Sequence, residues 1–320
     1  MNGRPDDDAA VRYAGLMGGL SLGLILATRL SPGPAWPAAM HTVVFAGPAA
    51  VYMARGHVAR AWGLVGAALA SAILAGHGGA STLVIAGFAL SGLILGAGLG
   101  HGRTFSRLLT EMTLFIFGFA AAGVALGWRA WQEQAAMARA AAETQLEAAD
   151  TETARAAAEW SIWLYEHWVS LGFGLLFAAS LFGALAALGG VAWWLGRFEN
   201  EPEPGYRLRD IRPPDWLTWV VIAAIIGWFA ARQWPDTLLQ PVSWNLIAAL
   251  IAVYWLNGLL IAVYGMCALG VPMFMRWIIM LALLYVGAVG VFAGFGLFDT
   301  WLELRGRFDR WAQARRGEEP

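Results

Sequence analysis

Nine apolar runs, bounded by arginine, proline or tryptophan, confine this chain to a bilayer more firmly than any other feature. They are Tyr13 to Leu30, Pro37 to Met53, Ala61 to Gly76, Ser81 to Gly100, Leu108 to Trp128, Trp168 to Leu195, Trp216 to Trp234, Trp244 to Val271 and Trp277 to Phe298. A helix that crosses about 30 Å of hydrocarbon needs about 20 residues, because each amide must be bonded within its own segment. The second and third runs are short for that length, so eight spans with one tilted or half-inserted segment is the alternative. The expected fold is all-α: a polytopic transmembrane helix bundle of eight or nine spans with an extramembrane helical hairpin. Charge usage agrees, since charged residues make up only 13% of the chain against about a quarter in soluble domains.

Tryptophan marks the segment ends. Trp36, Trp62, Trp128, Trp168, Trp193, Trp194, Trp216, Trp234, Trp244 and Trp277 all fall near one, where an indole keeps its N–H wet and its ring dry. All positive side chains are arginines, and the net charge of −1 leaves no footprint for nucleic acid. Arginine placement favours a cytoplasmic N-terminus until Arg305, Arg307, Arg310, Arg315 and Arg316 are counted, when the two sides nearly tie. The single Cys267 reads as a small core residue of an apolar span, able to form neither a disulfide nor a thiol–metal site alone. Asp6, Asp7 and Asp8 precede the first run and no small-residue cleavage pattern follows it, so it reads as a retained span.

Two polar connections organise the rest. Arg129 to Tyr165 is alanine-rich, carries Gln132, Glu133, Arg139, Glu143 and Glu147, and contains no glycine or proline. Such residues propagate helix, and Asp150 to Thr153 supply the only types that prefer caps and turns. Two helical extensions meeting near Ala149 to Thr151 are expected. Arg197 to Asp215 holds Pro202, Pro204, Pro213 and Pro214, which forbid a regular helix. The layout is a polar N-terminal tail 1–12, a six-span part 13–196, a linker 197–215, a three-span part 216–298 and a basic C-terminal tail 299–320.

Several local patterns carry a resemblance. They are the Ser31-Pro32 turn, the glycine-rich third and fourth segments, Arg212-Pro213-Pro214-Asp215-Trp216, and Asn245-Leu246. Further on come Asn257-Gly258, then Gly296-Leu297-Phe298-Asp299-Thr300-Trp301, then Glu303-Leu304-Arg305. Together they resemble the YybS-like family of bacterial polytopic membrane proteins, with Asn257 standing where a glutamine is expected. That family is distantly similar to the S components of energy-coupling-factor transporters, six-helix proteins that capture vitamins or metal ions. The resemblance implies a multi-pass protein of the bacterial cytoplasmic (inner) membrane. It also implies small-solute uptake with a membrane scaffold subunit and ATPases as partners, and it names no solute.

The remaining motifs concern packing and polar groups inside spans. Gly15, Gly19 and Gly23 form one small-residue ladder, Gly92, Gly96 and Gly100 a second, and Gly63, Ala67, Ser71 and Ala75 a third. Each presents a flat strip for close helix approach, within this chain or, for the first ladder, against a partner. Glu111, one turn inside its span, is placed to pair with Arg103 and Arg107 and is also a candidate solute contact. In the eighth run Tyr254, Asn257, Gly258 and Ile261 share a face. An amide there must bond across to another helix or to a solute, so Tyr254, Asn257 and Gly258 are candidate substrate-binding residues. His41, His77 and His101 lack metal-ligand spacing, so no metal or other cofactor is expected. No hydrolase elbow, zinc motif or phosphate loop is present, and the expectation is not an enzyme. Two readings follow: a solute-binding membrane subunit, or a non-transporting scaffold or assembly component.

Overall fold

The computed structural model describes residues 48–74, 79–101, 103–198, 212–234, 237–285 and 289–316, and all regular structure among them is helical. The chain divides into two compact units, Met1–Gly205 and Tyr206–Pro320. The first span, most of the second, and the ladder Gly15, Gly19, Gly23 lie outside the described residues, as do His41, His77 and most of the proline-rich linker. Among the described residues, three stretches are long and apolar enough to cross a membrane: Phe105–Leu126, Ser170–Gly189 and Leu239–Ala268.

The N-terminal unit contains α1 (48–54), α2 (Val58–Leu74), α3 (Gly79–Gly100), α4 (Phe105–Leu126), α5 (Trp128–Glu147), α6 (Glu152–Glu166) and α7 (Trp168–Phe198). Ala49, Val51 and Tyr52 of α1 pack with Ala61, Val65 and Ala68 of α2 and Ala89 and Leu93 of α3. Small residues set the spacing. A methyl group at Gly96 would overlap the Ala50 carbonyl, and one at Gly87 would lie 2.7 Å from Phe119 Cβ. Gly92 and Gly96 are thus buried within this unit, whereas Gly100 is exposed and open. In the third ladder Gly63 is exposed and Ala67 half-buried. Gly63 has nothing near it, and the buried stripe of α2 is Ala61, Val65 and Ala68. Ala61 and Ala68 allow the same close approach, so the glycine was a misleading marker.

The long connection folds as two helices. α4 gives way to α5 across a single residue, Gly127, and α6 to α7 across His167. The turn occupies 148–151, and Thr151 caps α6 by accepting from the Ala154 amide at 3.2 Å. Ala142 and Ala158 are buried in this hairpin. Arg139 bonds Glu143 one turn along its own helix at 2.9 Å and reaches Glu166 on α6 at 3.1 Å.

The C-terminal unit contains α8 (Leu217–Gln233), α9 (Leu239–Ala268), α10 (Met273–Tyr285), α11 (Val289–Leu302) and α12 (Leu304–Arg316). The ninth run therefore appears as α10 and α11, flanking residues 286–288. Ala224 of α8 packs with Leu250 and Tyr254 of α9, joined by Ala293 and Leu297 of α11. The tail read as basic and terminal is largely the helix α12, set off by Glu303 at φ 45°.

Candidate functional site

Gly258 and Gly296 allow α9 and α11 to meet backbone to backbone. A methyl group at Gly258 would overlap the Phe292 carbonyl, and one at Gly296 would overlap the Tyr254 carbonyl. This reciprocal fit brings the neighbouring amide within reach. Asn257 Nδ2 donates to the Gly296 carbonyl at 2.9 Å, and Asn257 Oδ1 accepts from an Arg305 Nη2–H at 2.8 Å. Asn257 is 4% exposed and Arg305 not at all.

A buried guanidinium is costly unless it is paired and hydrogen-bonded. Asp299 supplies the countercharge, with Oδ2 3.9 Å from Arg305 Nε. Its other oxygen accepts from the Leu304 amide at 2.9 Å, satisfying one of the free N–H groups at the start of α12. Two contacts extend the junction. Tyr264 donates a hydrogen bond to Asp309, and the Phe308 ring lies against Gly265, about 3.0 Å from where a Cβ would stand. Arg305, Phe308, Asp309 and Ala312 form one stripe of α12 at helical spacing.

A family model described as "Predicted membrane protein (DUF2232)" matches residues 24–300. The chain belongs to the DUF2232 family. Membrane localisation follows from that membership together with the apolar helices. Searches of the curated proteins and of the solved structures return no match.

In this DUF2232 chain the sequence-selected residues fall into separate places. Glu111 pairs with both Arg103 and Arg107, the latter at 2.9 Å, and is partly exposed. Tyr254, Asn257, Gly258 and Ile261 are all buried on one face of α9. Of these, Asn257 spends its amide on the protein itself, and Gly258 is filled by the Phe292 backbone. Asn245 donates to the Pro241 carbonyl of its own helix at 2.9 Å, so that amide does not need another helix for this bond. Cys267 corrects the reading of a core residue. It is exposed one residue before the end of α9, where Arg276 donates to its sulfur at 2.8 Å. His101 bonds the Ala97 carbonyl, and no metal-holding cluster occurs among the described residues.

Two apolar cavities stand out among the described residues. One in the N-terminal unit, about 210 Å³, is lined by Val124, Trp128, Trp131, Phe173, Leu176 and Ala179. The other, about 240 Å³, lies among α8, α9 and α11, with Val221, Ala224, Leu250, Tyr254, Ala293 and Leu297 in its wall. The Tyr254 and Thr218 hydroxyls are both buried and make no hydrogen bond among the described residues. Sequence reading missed Asp299, Arg305 and Asp309. The signal available was the 305, 308, 309, 312 spacing just past a span, which is a packed stripe and not a random basic tail.

Proposed function

We propose that this DUF2232 protein is a solute-binding membrane subunit. On this reading it takes up a small, largely apolar solute within its C-terminal unit and depends on partner proteins for energy. The observation that carries the reading is the cavity of about 240 Å³ with Tyr254 in its wall. Its lining is apolar, as small-molecule sites mostly are, with few polar groups to orient the guest. A buried hydroxyl without a hydrogen bond costs about 1–3 kcal/mol, and a solute oxygen that reached the Tyr254 hydroxyl would remove that cost. The YybS-like resemblance and its distant link to S components supply the transporter class. Asn257 and Gly258 then shape the wall behind Tyr254 and do not touch the solute.

Thermal melting of the purified chain in detergent against a panel of small vitamins and related heterocycles tests this reading. A hit should raise the melting temperature of the wild type and not of Tyr254→Phe. Proteins retained after gentle extraction should include an ATPase pair. No stabilising solute, together with retention only of non-transport proteins, would favour the scaffold reading. That alternative draws on the α5–α6 hairpin, whose helices carry Met137 and Trp160 exposed at 64% and 61%.

A further inference from the structure

We propose that α12 is an anionic-phospholipid-binding helix, clamped at headgroup depth beside α9, whose outward arginines hold lipid phosphates. Depth comes from the outer end of the clamp, because the inner end, Arg305 on Asn257, reaches back toward the middle of α9. Tyr264 and Gly265 meet Asp309 and Phe308 about 11 residues beyond the midpoint of the 30-residue α9. At 1.5 Å per residue that is about 17 Å, close to half the roughly 30 Å hydrocarbon thickness for a helix centred in the bilayer.

Direction comes from the helix period. Arg305, Phe308, Asp309 and Ala312 face α9, so Arg307 and Arg310 lie on the opposite side, and both are exposed. Trp311, beside them, is 64% exposed, and Trp301 just before the bend is 58% exposed. Cations next to indoles at the edge of hydrocarbon are the composition that an anionic headgroup layer attracts. The buried bond of Arg305 to Asn257 and the partly buried one of Tyr264 to Asp309 fix the rotation of α12, so its charged side is held outward before any lipid arrives. A phosphate with its glycerol backbone at this level can take two guanidinium forks from Arg307 and Arg310, one helical turn apart.

The test uses the full chain reconstituted in vesicles of phosphatidylcholine and phosphatidylglycerol, then extracted in mild detergent. Mass spectrometry of the extract counts each lipid retained per protein. Arg307→Gln with Arg310→Gln should lower retained phosphatidylglycerol relative to phosphatidylcholine, on the order of fivefold per arginine removed. The double lysine variant at the same positions should restore retention, because the charge survives. Arg155→Gln on the hairpin is the control for generic loss of charge and should change nothing. Equal retention in the double glutamine variant overturns the proposal, as does an equal fall in the control. Displacement of the lipid by millimolar inorganic phosphate would assign the face to a soluble anion and also overturn it. So would a protein retained by the wild type and lost from the variant with the lipid count unchanged.

Discussion

Arg305 donates a 2.8 Å hydrogen bond to the side-chain carbonyl of Asn257, 48 residues earlier in the chain. The same amide also bonds Gly296, so one side chain ties α9 to both α11 and α12. Interhelical hydrogen bonds in membranes average about 0.6 kcal/mol, but a bond to a charged group is worth about 1.5–3 kcal/mol. Asn257→Leu is therefore expected to cost about 2–4 kcal/mol, since it removes one partner of a buried guanidinium and the donor to a buried carbonyl. Reversible unfolding in mixed micelles measures it. A loss near the membrane average would show that Arg305 does not depend on this amide.

Gly258→Ala should destabilise the C-terminal unit by about 1–3 kcal/mol, because the added methyl meets backbone and no flexible side chain can yield. Gly63→Ala, with nothing near its Cβ, should be neutral or slightly stabilising through helix propensity. Paired thermal melts compare the two, and equal effects would contradict the α9–α11 contact.

Glu111→Gln should change stability by less than about 1 kcal/mol, as its ion pairs are partly exposed and screened. Repeating the melt at low and high salt checks the origin. The wild-type advantage should shrink as salt rises, and a salt-independent loss of several kcal/mol would place Glu111 in a functional or buried role.

Thr151→Ala removes the acceptor for the Ala154 amide and should weaken the start of α6 by about 1 kcal/mol. Hydrogen exchange at residues 152–156 should accelerate severalfold while α7 stays protected. Uniform protection across the hairpin would mean that Thr151 is not its cap.

The helical hairpin was legible because its signals are local: helix formers without glycine or proline, then cap residues at Asp150 to Thr153. Pairing of Glu111 was equally local, one turn from Arg107. Asn257 declared itself as an amide in an apolar run, but its partner did not. Arg305 follows the last apolar run and looks like one of five tail arginines. Nothing in spacing links it to a residue 48 positions away. The bend at Glu303, φ 45°, turns the chain before Arg305, and a glutamate carries no signature for a left-handed conformation. The third small-residue ladder misled at Gly63 for a related reason. Gly63 matched the spacing, but burial is decided by which stripe faces α1 and α3, and alanines could serve as well.

The 48 residues between Asn257 and Arg305 set an order on biosynthesis. During translation α9 enters the bilayer while the arginine that completes Asn257 is still unmade or inside the ribosome. Asn257 must therefore wait on water, lipid headgroups or an insertion factor until Arg305 emerges. A premature stop just before Arg305 would leave every described span intact and yet deny the bundle its final fastening. Such a product should insert normally, then be cleared by membrane proteases faster than the full chain.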